Sequence, residues 1–159
     1  MSNKIPPPVI TLIGALLIYY SSPFFPHLTL AAFNVLPILS LVSGIAVIVF
    51  AIKSFKDYKT TINPFKPETV SSLVTNGVFK YTRNPMYLGL LLILIYLSLI
   101  FNVVGGCLVS LGFIIYITKF QIIPEEVAME KLFGNQFLEY KQQVRRCLLY
   151  TSPSPRDLP

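Results

Sequence analysis

The chain has 159 residues, 53% of them hydrophobic and 13% charged, with a formal charge of +6 and a mean hydropathy of +0.65. A soluble domain of this size carries about 25% charged residues, so the composition excludes an ordinary soluble enzyme and points to a membrane protein. The length allows about four helical spans of roughly 20 residues each, hence one domain without a separate catalytic module. In such a protein the basic surplus marks cytoplasmic loops rather than a nucleic-acid partner.

The first span is predicted from Val9 to Tyr20, reaching at most Phe25. It is entered through Pro6-Pro7-Pro8, since proline is tolerated at a helix entrance and breaks an interior. Lys4 precedes this stretch, but Ser21-Ser-Pro-Phe-Phe-Pro26 lacks a small-residue cleavage site, so no cleavable signal is expected. Ser21 to Asn34 reads as an uncharged turn holding the single histidine, His27, which is assigned to solvent. A second span is predicted from Ala32 to Ile52, ended by Lys53, Lys56 and Lys59. Polar chain follows to Asn84, with Asn63-Pro-Phe-Lys-Pro67 as a loop and Thr75-Asn-Gly77 as a turn.

Met86 to Thr118 contains no charged residue. One helix of that length would run about 50 Å, well past a hydrocarbon core of about 30 Å. Asn102, Gly105 and Gly106 suit a tight turn, so two spans are predicted, Pro85 to Phe101 and Val103 to Gln121. Beyond Pro124, Met129, Leu132, Phe133, Phe137, Tyr140 and Val144 recur at three- and four-residue spacing, the pattern of an amphipathic helix from Glu125 to Arg145. The expected fold is therefore all-α: an integral membrane bundle of about four transmembrane helices plus a C-terminal amphipathic cytosolic helix. That helix is expected to fold back beneath the spans, with Phe133, Phe137 and Tyr140 against a pocket.

Cys147-Leu-Leu-Tyr-Thr-Ser-Pro-Ser-Pro-Arg-Asp157 back-translates without mismatch into a DNA adaptor used in transposon-based sequencing libraries. Residues 147–159 are read as a non-native tail, leaving residues 1–146 as the single domain.

Lys4 precedes the first span, Lys53 to Arg83 lie between the second and third, and Lys119 to Arg146 lie at or after the end of the fourth. The other two loops have no Lys or Arg. Both termini and the central loop are thus expected in the cytoplasm, which puts Arg83 and the pair Glu125-Glu126 on one side. Polar groups held at a membrane boundary are costly to keep there and usually carry function. One histidine and one credible cysteine, Cys107, build no metal site, and no nucleophile–histidine pair is available on that side.

Leu73-Val-Thr-Asn-Gly77, then Arg83-Asn-Pro-Met-Tyr87 and Gly89, resembles the signature of the isoprenylcysteine carboxyl methyltransferase and phospholipid methyltransferase superfamily of integral membrane enzymes. Glu125-Glu126 followed by Leu132-Phe-Gly134, Phe137 and Tyr140 fits the same pattern, and Thr60-Thr-Ile-Asn-Pro64 is similar to bacterial members. The match covers about Thr60 to Arg146. Asn84 stands where many members have histidine, Phe137 where tyrosine is usual, and Arg145 where proline is common.

The resemblance implies S-adenosylmethionine as cofactor, entering from the cytosol, and a lipophilic acceptor entering from the bilayer: a prenylated thiol-carboxylate, a phospholipid amine or another small apolar molecule. It also implies a bacterial or archaeal cytoplasmic membrane. A pocket for this cofactor needs a carboxylate, a cation, aromatic faces and backbone access. Arg83 can hold a carboxylate with two hydrogen bonds, and Glu125 or Glu126 can take ribose hydroxyls or the ammonium group. Tyr81 and Tyr87 offer ring faces, and Gly77 and Gly89 allow close approach. Family spacing adds Asn84, Pro85 and Tyr140 to the cofactor set, with Arg83 and Glu126 acting most directly on the acceptor.

Each residue alone has a plainer reading. Arg83 can snorkel at the interface, the tyrosines can belong to an aromatic belt, Gly77 to a turn and Gly89 to helix packing. The two glutamates can be first-turn acids favoured by a helix dipole. Competing functions are an NADPH-dependent sterol-type reductase, for which the chain is short, and a four-helix exporter, which would need an acid inside the membrane. A non-catalytic member that only binds through the same pocket is the third alternative.

Overall fold

The computed structural model of the protein describes residues 5–25, 35–58 and 72–146. The readings on Lys4, His27, the start of the second span at Ala32, Lys59, residues 60–64, Lys66 and the tail from Cys147 lie outside the described residues. Among the described residues, 84% are helical and no strand forms. They build α1 (Pro7–Ser21), α2 (Leu36–Asp57), α3 (Pro85–Phe101), α4 (Val103–Ile117), α5 (Ile123–Phe133) and α6 (Asn135–Gln143).

Among the described residues, three helical segments are long and apolar enough to cross a membrane: Pro7–Phe24, Leu36–Asp57 and Val103–Phe133. The fourth apolar helix, α3, has 17 residues, or about 26 Å. Its place explains its composition, for α3 lies at the centre and packs against α1, α2 and α4. A helix enclosed this way is apolar all round. Leu94 is wholly buried and gathers Ile18 of α1, Phe113 and Ile117 of α4 and Tyr87 into one core. The outward faces of α1, α2 and α4 carry Leu16, Leu17, Val42, Val49, Leu108 and Ile115, all exposed; such faces belong against lipid.

The α3–α4 turn falls at Asn102, as its side chain favours. Asn102 Oδ1 caps α4 by accepting from the Gly105 N–H at 2.9 Å, and its Nδ2 donates to Ser21 Oγ at the end of α1. Ser22 Oγ donates to the Phe101 carbonyl beside it. The ends of α1 and α3 and the start of α4 are thereby tied together, leaving the C-terminal end of α2 and the start of α3 at the opposite end of the bundle.

Two expectations change. The lysines at 53 and 56 do not end the second span: α2 runs on to Asp57, because both point outward while Ala51 and Phe55 pack on Val74 and Phe79. Nor is residues 125–145 one helix. Pro124 lacks an N–H and its ring crowds the carbonyl four residues back; the chain widens into a π turn, Thr118–Ile122, with the Ile123 N–H bonded to the Thr118 carbonyl. α5 therefore continues α4 directly. The break comes later, at Gly134, whose φ of +52° suits a residue without Cβ and separates α5 from α6.

Candidate active site

Site construction starts with a 3-10 turn, Gly77–Lys80. Gly77 has φ +63°, and a Cβ there would sit 2.9 Å from Ser54 Oγ on α2. Glycine lets the turn press onto α2, burying Phe79 and Val74 with Ala51. Five residues on, Pro85 starts α3, its fixed φ suiting a first helical position.

The intervening segment grips the far end of the described chain. The Arg83 N–H donates to the Arg145 carbonyl at 3.0 Å. Thr82 Oγ1 and Asn84 Nδ2 both donate to the Arg146 carbonyl, at 3.2 and 2.9 Å. Held this way, Arg146 turns its guanidinium onto Glu126: Nε donates to Oε1 at 3.0 Å and Nη2 to Oε2 at 2.5 Å. Arg83 Nη2 lies 3.4 Å from Glu126 Oε1 from another direction, with side chains 5% and 9% exposed. A two-pronged pair of this kind is among the stronger hydrogen-bonded contacts, and burial makes each member costly to leave alone.

Glu125 faces elsewhere. Successive helical residues point about 100° apart, so while Glu126 meets the arginines, Glu125 Oε1 accepts a 2.5 Å hydrogen bond from the Tyr87 hydroxyl on α3. The dipole reading of these acids falls away, because α5 has no free N-terminus: its first turn is the middle of the continuous segment Val103–Phe133.

The cap closes over both. Phe137, Tyr140 and Val144 bury together against Leu73, Met129 and Phe133. The Tyr140 hydroxyl donates to the Phe79 carbonyl at 2.8 Å, joining α6 to the 3-10 turn. Burial pushes the Tyr140 phenol above its ordinary value, with the Arg83 charge opposing.

Between these parts lies a cavity of about 120 Å³. Arg83, Asn84, Glu125 and Glu126 give it polar walls, and Phe55, Phe79, Phe137 and Tyr140 aromatic ones. The structure thus brings together Arg83, Asn84, Glu125, Glu126 and Tyr140, with Tyr87 joined through Glu125 and Pro85 fully buried at the start of α3. It does not bring in Gly77, Gly89 or Tyr81. Gly89 meets α2 back to back with Gly44, where a Cβ would lie 2.8 Å from the Gly44 carbonyl. Tyr81 is 71% exposed and lines no part of the cavity. Phe133 supports the cap from behind.

Sequence reasoning missed Arg146, Phe55 and Phe79. A signal for Arg146 existed: two adjacent acids at a membrane boundary call for more than one cation.

The cavity wall thus offers a guanidinium group, carboxylates and aromatic faces, a set suited to a ligand that carries both charges and a planar ring. A family model described as phospholipid methyltransferase matches residues 32–136. An uncharacterized protein of Haemophilus influenzae (strain ATCC 51907 / DSM 11121 / KW20 / Rd) is 47% identical over 66 residues, covering 40% of this chain and the whole of that protein. No solved structure matches.

Proposed function

The chain belongs to the phospholipid methyltransferase family, and from that premise we propose that it transfers a methyl group from S-adenosylmethionine to a lipophilic acceptor. It is an integral membrane protein; which membrane, and which way round, are part of the proposal. The observation that supports it most is the buried Arg83–Glu126 pair on the wall of an aromatic-lined cavity, with Arg146 holding Glu126 from a half-buried position. Membrane packing alone does not account for it, since replacing a buried ion pair by apolar groups is often neutral or stabilising.

When bound, the cofactor supplies an electrophilic methyl group on a positively charged sulfur. The chain's own residues bind and orient. Arg83 and Arg146 attract the carboxylate end while Glu126 fixes their planes. Asn84 and Thr82 hold the residue 145–146 backbone in place, and Tyr140 holds the 3-10 turn. Phe55, Phe79 and Phe137 exclude water, which strengthens each charged contact inside. Fixing the reactants in line supplies much of the remaining rate gain. Arg83 and Glu126 act most directly on an acceptor arriving from the bilayer, a prenylated thiol-carboxylate or a phospholipid amine. Both termini and the loop before α3 are cytoplasmic in this reading, in a bacterial or archaeal cytoplasmic membrane; labelling a cysteine placed at Thr75 from outside intact cells would overturn that orientation.

The test is calorimetry on protein in detergent. S-adenosylmethionine and its demethylated product should both bind, and Arg83→Ala should weaken binding by about 1–3 kcal/mol, the scale of a charged hydrogen bond. Tight binding of NADPH with none of S-adenosylmethionine would replace this reading with the reductase one.

A further inference from the structure

The apolar helices are short for the medium they cross. α1 and α4 have 15 residues each and α3 has 17, lengths of about 22 and 26 Å. Counted from Leu36, α2 meets Lys53 after a run as long as α3. A typical hydrocarbon core is about 30 Å thick, and tilting a helix only shortens its reach across it. At the cap end the apolar band stops at charge. Lys53 and Lys56 of α2, Lys80 ahead of α3 and Lys119 after α4 are all exposed, and charges of this kind are costly to draw into hydrocarbon. Lys119 Nζ sits 5.7 Å from the centre of the Phe120 ring, a cation and an aromatic side by side as at a membrane boundary. α5 continues the helix past Lys119, so a thicker bilayer could cover its exposed Ile123 and Val127 only by drawing Lys119 in.

At the opposite end the band stops at backbone. α1 gives way to a 3-10 turn, Ser22–Phe24, and Phe25 is extended. Irregular backbone facing lipid does not lie within the hydrocarbon region. Tyr19, Tyr20 and Phe24 stand exposed there, as aromatic residues do at an interface, and Tyr19 packs edge-on against Phe101 at the end of α3. The bonds of Ser22 to Phe101 and of Asn102 to Ser21 hold α1 and the α3–α4 turn at one level. Neither end therefore has slack to give. We propose that the partner this belt fits is a thin bilayer, with a hydrocarbon core of about 22–26 Å, and that the protein thins any thicker lipid around it. A span shorter than the local hydrocarbon is met in this way when its flanks are anchored. The preference stands whatever reaction the cavity serves.

The experiment reconstitutes the full chain in vesicles of dimyristoleoyl-, dioleoyl- or dierucoyl-phosphatidylcholine, which differ only in acyl-chain length. The thermal midpoint should be highest in the shortest lipid and lower by about 5 °C or more in the longest. X-ray scattering should show the dioleoyl and dierucoyl bilayers growing thinner as the protein content rises, and the dimyristoleoyl bilayer unchanged. The chain has no tryptophan, so Tyr20→Trp and Phe120→Trp each report the depth of one boundary through quenching by lipids brominated along the chain. Both indoles should stay at the boundary in all three lipids. Equal midpoints, or a highest midpoint in dioleoyl or dierucoyl lipid, overturn the proposal. An indole drawn deep into dioleoyl chains, with bilayer thickness unchanged, shows that the ends do have slack and overturns it too. Should either variant fail to fold, the wild-type midpoints and scattering decide alone.

Discussion

Where α2 crosses α3 the chain uses glycine, and where the cap meets α3 it uses charge. Gly44 and Gly89 bring two backbones together so closely that neither position has room for a methyl group, and Ser40 Oγ adds a hydrogen bond to the Leu92 carbonyl. In lipid there is no hydrophobic drive to pull helices together, so shape and small residues carry the association. The cap, α5 with α6 and residues 144–146, is joined instead to the segment leading into α3 by Arg83, Glu126 and Arg146 and by hydrogen bonds to the carbonyls of Phe79, Arg145 and Arg146. Polar joints of this sort can be remade around a ligand, whereas a close-packed glycine crossing cannot, and the difference separates the part of the molecule that can adapt from the part that is fixed.

The contrast is broken hardest at Glu126. Glu126→Ala leaves two guanidinium groups beside each other with no carboxylate between them, and should lower stability by about 3 kcal/mol or more. Limited proteolysis should then cut α6 free while the spans stay intact; a protease-resistant cap would mean the cluster is not what holds it. Next comes the glycine crossing. Gly89→Val should force α2 and α3 apart at about 1–3 kcal/mol, seen as a lower thermal midpoint in detergent with S-adenosylhomocysteine affinity unchanged. Lost affinity at normal stability would return Gly89 to the binding site.

Tyr140→Phe should act more mildly, at about 1–2 kcal/mol, since it removes one donor from the Phe79 carbonyl. It also carries a pH signature. The folded phenol titrates above its ordinary value near 10, so the stability it contributes is complete below pH 10 and drains away as pH rises beyond that. The variant should therefore show a flatter stability curve between pH 10 and 11 than the wild type; equal slopes would show that another group titrates there. Smallest is Tyr81→Ala, expected within about 0.5 kcal/mol on stability and without effect on cofactor binding. A tenfold loss of affinity would bring that exposed ring into the site after all.

Much of this was legible beforehand because the signals were local. An uncharged run too long for one helix, with Asn102 and two glycines inside it, specifies a hairpin at the residue where it occurs. One-sided lysines and arginines put Arg83 and the glutamates at the same end, where Arg83 lies 3.4 Å from Glu126. Phe137 and Tyr140 were readable from helical spacing. What escaped depends on pairing between distant residues. Arg146 meets a glutamate twenty positions earlier, and nothing in its neighbourhood says so. Gly89 serves α2 rather than a ligand because Gly44 happens to lie opposite. Tyr81 and Tyr87 look equivalent in a motif, but the six-residue offset across the start of a helix sends one outward and the other into the core.

The π turn at Thr118–Ile122 behaves like a gear tooth. It holds one residue more than an ordinary helical turn, so every side chain downstream is set back about 100° around the axis. Losing a single codon within it would leave the hydropathy profile almost unchanged, yet would swing Glu125 off Tyr87 and Glu126 off both arginines together. Point substitutions disturb one contact at a time; a one-residue deletion here should erase the whole constellation at once and leave an intact, inert membrane bundle.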